Sequence, residues 1–249
     1  MKWQVSLLSV LLLVLFLWLS NLTAQVSSEH HQVSLATGTM YGSHGEHGRG
    51  GWEGSAQGVA YSEFNHRFAG LFVLLFGLAE LAYALRYPLP SWIRLVLPSA
   101  LGVIGVFLLV WSDHEAWPIG ALTFVQTFSG QDPEILQHKF YGIVAATAAV
   151  SEMLRRIGWA QHPAWASPLV IGGLVGGLLL FWHSHGPHSA NQTIELHHAL
   201  LGGLGVGAAV SSAMVSWASR PSHRSVKRWD LVWAVFVILI GIQLLIYFE

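Results

Sequence analysis

Six long apolar segments in the later part of the chain constrain its fold more than any other feature. They cover approximately residues 66–86, 94–111, 138–157, 167–183, 198–217 and 230–248. A helix needs about 20 apolar residues to cross the hydrocarbon core of a membrane, and each segment is close to that length. Only 10% of the 249 residues are charged and 53% are hydrophobic, unlike a soluble domain. The sequence therefore predicts an all-α, polytopic membrane bundle of six transmembrane helices.

The part of the chain before these segments divides into two regions. Residues 1–24 carry Lys2, an apolar run from Val5 to Leu19 and a small residue, Ala24, where cleavage would fall. This pattern predicts a signal peptide or a retained signal anchor. Residues 25–65 are rich in Gly, Ser and His and have few apolar side chains, which predicts a flexible arm outside the cytoplasm. The transmembrane helical domain is then expected over 66–249.

The distribution of positive charge predicts the orientation of the helices. One set of connections carries Arg86, Arg94, Arg155, Arg156, Arg220, Arg224, Lys227 and Arg228, whereas the other set carries Arg49, Arg67 and Lys139. Cytoplasmic connections are enriched in Lys and Arg, so the first set is expected to be cytoplasmic. The signal-like N-terminus agrees with this orientation.

Histidines are concentrated on the predicted outer side. Twelve of the fourteen lie there: His30, His31, His44, His47, His66, His114, His138, His183, His185, His188, His197 and His198. Histidine is rare in membrane segments, and when it occurs there it commonly serves metal, haem or proton chemistry. Histidines that merely bond headgroups or carbonyls should not favour one leaflet. The asymmetry therefore favours a cation site at the outer face.

Three inward-running segments begin alike, which predicts a parallel repeat of three helical hairpins. Each has a histidine followed four residues later by a glycine: His66 and Gly70, His138 and Gly142, His198 and Gly202. The glycine is expected to allow close approach of another helix. Fourteen residues after the histidines stand Glu80, Glu152 and Ser212. For the two glutamates, a step on an ion path and local pairing with arginine are both open. The pairing would join Glu152 to Arg155 or Arg156, and Glu80 to Arg86.

The repeat predicts that its three opening histidines stand at equal depth on three neighbouring helices, joined by histidines from the returning helices. The candidate metal ligands are His66, His114, His138, His183, His185 and His198. Three or four converging imidazoles suit copper or zinc. The chain has no cysteine, which excludes disulfides and thiolate-bound metal sites.

Two further patterns bear on structure and chemistry. Asp132, Pro133 and Glu134 have the order of an N-cap, a first helical residue and an early acidic residue, so a helix is predicted to begin near Asp132. The sequence contains neither a Gly-Lys-Ser/Thr phosphate loop nor a G-x-S-x-G serine motif. It therefore predicts a protein that is not an enzyme.

Four motifs together resemble the bacterial copper-resistance D family of membrane proteins. They are Asn65-His66-Arg-Phe-Ala-Gly70, Trp111-Ser-Asp-His-Glu-Ala-Trp-Pro-Ile-Gly120, Asp132-Pro-Glu-Ile-Leu-Gln-His138 and His183-Ser-His185. The resemblance covers about residues 62 to 217. It implies a multi-pass protein of the bacterial inner membrane that moves copper between periplasm and cytoplasm. It also implies a small periplasmic copper-binding partner and assigns the six histidines as copper ligands. The chain departs from the family in being short and in carrying a His-rich arm.

Two other functions remain open at this point. The histidines could be axial ligands of haem b in an electron-transfer protein resembling the cytochrome b561 class. The chain could instead be a non-catalytic subunit of a larger membrane complex, either as a homo- or a hetero-oligomer. The second alternative rests on the small-residue segments at 172–177 and 202–207, which favour helix contacts.

Overall fold

The computed structural model describes residues 55–130, 132–181, 191–217 and 223–248, with the side chains of 191–193 and 223–227 excepted. Within these ranges the protein is all-helical, as predicted, and has no strands. The predicted signal or anchor at 1–24, most of the arm, and His183 and His185 lie outside the described residues.

Six long helices among the described residues coincide with the six apolar segments. In chain order the α-helices are α1 (Ala56–Ala84), α2 (Val96–Val110), the short α3 (Phe124–Phe128), α4 (Pro133–Arg156), α5 (Ser167–Leu179), α6 (Asn191–Trp217) and α7 (His223–Leu245). Helix α1 begins well before the apolar segment, because Ser55 caps it by accepting a hydrogen bond from the Gly58 amide at 3.1 Å. Its first turns are therefore set by a cap rather than by hydrophobicity.

The predicted start of α4 is confirmed. The Asp132 side chain accepts hydrogen bonds from the amides of Glu134 at 3.0 Å and Ile135 at 3.2 Å. Pro133 occupies the first helical position, where its missing N–H costs nothing. This cap sets the position of His138 in the second turn of the helix.

The six long helices form a closed ring. Each packs against two others in the order α1, α2, α4, α5, α6, α7 and back to α1. Neighbours run antiparallel: Gly70, in the middle of α1, lies against Leu245 at the end of α7, whereas Gly77, nearer the end of α1, lies against Ile238, earlier in α7. His66, His138 and His198 consequently lie towards one end of the ring, the histidine end. The opposite end, where Glu80, Glu152 and Ser212 line a cavity of about 670 Å³, is the cavity end.

The glycine that follows each repeat histidine lies at a close helix contact, as predicted. A Cβ added to Gly70 would lie 2.8 Å from the Leu244 Cβ. At Gly142 it would lie 2.8 Å from the Leu109 Cγ, and at Gly202 it would lie 2.7 Å from the Gly177 carbonyl oxygen. No side chain fits at these separations, so glycine brings the backbones together at each crossing.

The three repeat histidines do not stand on neighbouring helices, contrary to the sequence interpretation. They belong to α1, α4 and α6, which alternate around the ring with α2, α5 and α7. Antiparallel neighbours place their starts at opposite ends, so helices that begin at the same end must alternate. These histidines can therefore approach one another only across the ring or past the helix that lies between their own helices.

Within the described residues, four helical stretches are long and apolar enough to cross a membrane. They are Ala56–Ala84, Ser91–Val110, Ile194–Trp217 and Arg228–Leu245, of which the second joins a 3₁₀ turn to α2. Helix α5 is shorter, with 13 residues, and α4 carries His138, Lys139, Glu152, Arg155 and Arg156. That α4 and α5 also cross the membrane, which would give six spans, stays a prediction.

Candidate metal centre at the histidine end

Two of the predicted ligands, His66 on α1 and His198 on α6, approach each other. Their ring centroids are 6.3 Å apart, with the ring planes inclined at 44°. His198 is buried, with 4% of its surface exposed. Helices α1 and α6 are separated by α7 in the ring, so both histidines reach towards the end of α7. The structure thus brings together two histidines that are 132 positions apart in the chain, from 66 to 198.

Tyr247, which follows α7, lies beside both histidines. Its ring stacks on His66 at a centroid distance of 3.8 Å and lies 6.2 Å from His198. Tyr247 is fully buried, and its carbonyl oxygen accepts a hydrogen bond from Arg67 at 3.2 Å. The residues after α7 therefore form part of this cluster and hold the His66 ring by stacking.

The His66 ring is oriented by its own helix. Its Nδ1 lies 2.9 Å from the Ser62 carbonyl oxygen, one turn earlier. A carbonyl can only accept, so Nδ1 must carry the proton. In the neutral ring the lone pair is then on Nε2. Metal-binding histidines are commonly arranged in this way, with one nitrogen donating to a carbonyl and the other binding the metal.

His197 occupies a different environment from its neighbour His198. Gln243 on α7 lies within hydrogen-bond distance of its Nδ1, and the ring meets Tyr247 and Phe248 edge-on at 5.3 and 5.2 Å. The amide N–H of Gln243 can donate to the lone pair of Nδ1. His197 therefore packs α6 against the end of α7.

His138 is held in a buried ionic cluster with Asp113 and Lys139. Its Nδ1 lies 2.7 Å from Asp113 Oδ1, and Lys139 Nζ lies 3.0 Å from Asp113 Oδ2. The Lys139 side chain is only 1% exposed and also donates to the Leu108 carbonyl oxygen at 3.1 Å. A lone buried ammonium would be costly, and Asp113 offsets its charge. This cluster joins the end of α2 to the second turn of α4.

The pKa of the Asp113 carboxyl lies below its ordinary value. Burial alone would raise it, but the hydrogen bond and charge of His138 act in the opposite direction. The Ser112 hydroxyl and the Lys139 ammonium lower it further. Together these groups favour the ionised carboxylate over the neutral acid.

We expect the contribution of Asp113 to stability to depend on pH. A carboxyl with a depressed pKa in the folded protein stabilises it fully above its unfolded pKa of about 3.9, and this contribution is lost as the pH falls through the lower folded value. Asp113→Asn should lower the free energy of unfolding by about 1–3 kcal/mol at pH 7. Thermal unfolding in detergent at pH 7 and pH 3 measures the difference between the two proteins. An equal difference at both pH values would contradict this assignment.

His114 lies at the surface of the histidine end. Its side chain is 40% exposed, its Nε2 lies 3.7 Å from Glu115, and its ring meets Tyr61 edge-on at 6.0 Å. The Tyr61 hydroxyl donates to the Trp111 carbonyl, and Asn65 donates to the Ser112 carbonyl at 3.0 Å. The start of α1 is therefore tied to the residues that carry Asp113 and His114.

The predicted ligand set is brought together only in part. His66 and His198 approach, His138 is engaged by Asp113, and His114 is at the surface. Across 55–130, 132–181, 191–217 and 223–248, no three His, Asp or Glu side chains are grouped so as to hold a metal. The roles of His183 and His185, outside these ranges, stay a prediction.

Sequence reasoning assigned no role to Tyr247 or Asp113 in this end of the ring. In the predicted repeat, Tyr247 stands at the end of the third hairpin, in the sequence position where the first two hairpins end in His114 and His185. This place in the repeat was the sequence signal that could have indicated a role for Tyr247. Asp113 directly precedes His114 and follows an apolar segment, and such a carboxylate usually has a buried partner.

The two glutamates at the cavity end share one guanidinium. Arg156 on α4 lies 2.7 Å from Glu80 on α1 and 3.3 Å from Glu152. It also donates to the Arg94 carbonyl at 2.8 Å, and Arg155 pairs with Glu152. The structure therefore supports the pairing interpretation of both glutamates, and the partner of Glu80 is Arg156 rather than Arg86.

Comparison with known proteins adds no relative: no family model, curated protein or solved structure matches the chain. The functional conclusion therefore depends on the residues and their geometry.

Proposed function

We propose that this chain is a copper-binding membrane protein for copper transport or resistance, with its histidine end as the metal-binding face. The proposal rests on the approach of His66 and His198, whose ring centroids are 6.3 Å apart. We further propose that it resides in the bacterial inner membrane with this face towards the periplasm. In this proposal the protein binds or carries copper and is not an enzyme.

The separation of the two rings suits a shared ion. Two imidazoles bound to one metal through nitrogens at about 2.0–2.1 Å have ring centroids roughly 5–6.5 Å apart, depending on the angle at the metal. The observed separation is at the upper end of that interval. If only these two rings bound the metal, the nitrogen–metal–nitrogen angle would be close to linear. A bent angle would need only a small movement of His198.

The chemistry of the donors favours copper among the common metals. The chain has no cysteine, so nitrogen donors dominate at this end. Imidazole suits copper, zinc, iron and nickel, and copper(II) binds most strongly among the divalent ions at a given nitrogen site. The Tyr247 ring and the burial of His198 limit access of water, and a dry site favours a low coordination number.

Further ligands are proposed from the connection between α5 and α6. Helix α5 ends at Leu179 and α6 begins at Asn191, so the connection that contains His183 and His185 joins two helix ends at the histidine end. We propose that these residues complete the site with His66 and His198. His114, which is exposed, is placed to receive copper first, from a periplasmic copper-binding partner.

Metal content and the visible spectrum of the detergent-purified protein test this proposal. Protein loaded with copper and then desalted should retain at least one copper per chain and show no Soret band. A Soret band would instead support the haem b alternative, since haem is recognised by that absorption. Protein that retains neither copper nor haem would contradict both functions and support a subunit role.

A further inference from the structure

The connection between α2 and α4, at the histidine end, exposes several large apolar side chains. Trp117 is 47% exposed, Ile119 49%, Phe124 56% and Val125 73%. Trp117 and Phe124 meet edge-on at a centroid distance of 5.4 Å. A group of exposed apolar side chains usually marks a surface that binds a protein or a membrane. We call residues 115–130 the α3 loop, and these four side chains its apolar surface.

The α3 loop is almost free of charge. From residue 116 to residue 131 the sequence contains no Asp, Glu, Lys, Arg or His. Soluble domains have charged residues at about 25% of their positions, so an uncharged stretch of this length is unusual for a loop in water. It suits an environment in which a charged side chain would be costly, such as the apolar part of a membrane.

Hydrogen bonds inside the loop fix its shape. The buried Thr127 hydroxyl accepts a bond from the Trp117 amide at 3.0 Å and donates to the Thr123 carbonyl oxygen at 3.0 Å. Thr123 and Gln126 form a capping box at the start of α3. The apolar surface is therefore presented by an ordered loop.

Several backbone amides of the loop are satisfied without water. The amides of Gly120 and Leu122 donate to the carbonyl oxygens of Ala116 and Glu115 at 2.8 and 2.9 Å. Pro118 has no amide hydrogen. A backbone group that enters a membrane without a partner is costly, and these internal bonds reduce that cost.

Helix α3 lies on the outer side of the ring. It packs against α4 and against no other long helix in the described part of the chain. A loop folded across the mouth of the ring would instead meet α1, α6 or α7. A Cβ added to Gly130, at the end of the loop, would lie 3.7 Å from Leu136 Cδ2 on α4. The loop therefore borders the part of α4 that carries Leu136.

Leu136 begins an exposed apolar row along α4. The row continues with Phe140, Ile143 and Val150, which lie on one helical face because they follow one another at intervals of three, four or seven positions. The ring neighbours α2 and α5 pack against α4, so the exposed row faces away from the ring. Such a face on a membrane helix contacts lipid.

The other flank of the loop also lies beside lipid. Helix α2 belongs to a stretch, Ser91–Val110, that is long and apolar enough to cross a membrane. It ends immediately before the exposed Trp111, a residue type that is enriched at the membrane–water interface. The α3 loop is therefore at the level where a membrane-crossing helix leaves the hydrocarbon.

We propose that the α3 loop inserts its apolar surface into the membrane leaflet at the histidine end. Ile119, Phe124 and Val125 contact the first part of the acyl chains. Trp117 lies at the level of the headgroups, where its apolar ring and its indole N–H both find suitable surroundings. The loop thereby holds the end of α2 and the start of α4 at the membrane surface. This proposal does not depend on the copper site.

Nitroxide labels on single cysteines test the proposal, and the chain has no cysteine of its own to interfere. Ile119→Cys and Val125→Cys are labelled in the full chain and reconstituted in nanodiscs of phosphatidylcholine and phosphatidylglycerol. Oxygen is concentrated in lipid, whereas a water-soluble nickel chelate is excluded from it. We expect oxygen to relax both labels more than the nickel chelate does, at a depth of about 5–10 Å into the boundary between headgroups and acyl chains.

Glu115→Cys is the matched control, because this residue begins the same loop and has an exposed, charged side chain. The nickel chelate should relax its label more than oxygen does. Val106→Cys, an exposed position on α2, gives the lipid reference. Elution as a single species shows that each labelled protein is folded.

Two results would overturn the proposal. If the nickel chelate relaxes the labels at 119 and 125 as strongly as the label at 115, the α3 loop lies in water. If neither reagent relaxes them, the apolar surface is covered by protein, such as a partner, a second copy or residues 25–54 of the same chain. Loss of copper binding would leave these results unchanged, so the two proposals fail independently.

Discussion

Replacing His66 and His198 together by asparagine should remove tight copper binding from the protein. The two rings approach to a centroid distance of 6.3 Å, so they form the only pair of candidate ligands in the described part of the chain with a ring–ring contact. Loss of both nitrogens leaves His114 and His138 as the described candidates, and the latter is engaged by Asp113. We expect the affinity for copper(I), measured by competition with a coloured chelator, to fall at least a hundredfold.

The control for this experiment is His162→Asn. His162 is exposed, lies between α4 and α5 at the cavity end, and caps a short 3₁₀ turn, a role that asparagine can fill. This variant should bind copper as the unchanged protein does. Each single replacement, His66→Asn or His198→Asn, should have an intermediate effect. Unchanged affinity in the double variant would exclude a copper site made by these two residues.

Replacing Arg156 by methionine should destabilise the protein more than any other single change at the cavity end. Arg156 neutralises Glu80 and Glu152 together, at 2.7 and 3.3 Å, and the Glu152 side chain is only 3% exposed. Methionine fills similar space but leaves both carboxylates without this partner. Removing one member of a buried ion pair costs about 3–5 kcal/mol, and we expect a loss of this order in the free energy of unfolding.

Arg155→Met provides the comparison. Among the described residues, Arg155 forms an ion pair with Glu152 alone, and its side chain is more exposed than that of Arg156, 28% against 19%. Its replacement should cost substantially less. Adding Glu80→Gln to Arg156→Met should recover part of the loss, because a neutral amide is easier to bury than a carboxylate. Thermal unfolding in one detergent measures all three variants. Equal losses for the two arginines would show that the bridge between α1 and α4 is not the cause.

The helices were largely predictable because their signals are local. Apolar length located the six long helices, and the Asp132-Pro133 pattern fixed the start of α4. The start of α1 was not predicted, since it is set by the Ser55 cap in a stretch that precedes the long apolar segment. The order of helices around the ring depends on which faces pack together, and a single sequence does not contain that information directly.

The candidate site was predicted in its components but not in its arrangement. The glycines Gly70, Gly142 and Gly202 were correctly expected at close helix contacts, because spacing of four residues sets one helical face. The approach of His66 to His198 depends on α7 lying between their helices. The stacking of Tyr247 on His66 depends on the same packing. The convergence of Glu80, Glu152 and Ser212 on a cavity likewise requires the closed ring.

X-ray absorption at the copper edge of the loaded, detergent-purified protein tests the central claim most directly. The proposed site predicts a first shell of nitrogen alone at about 2.0 Å, with the outer-shell scattering that identifies imidazole. It predicts no sulfur, since the chain has no cysteine and its four methionines have no part in the site. The signal should disappear in the His66→Asn, His198→Asn double variant. Sulfur in the first shell, or an imidazole signal that persists in that variant, would contradict the copper site at the histidine end.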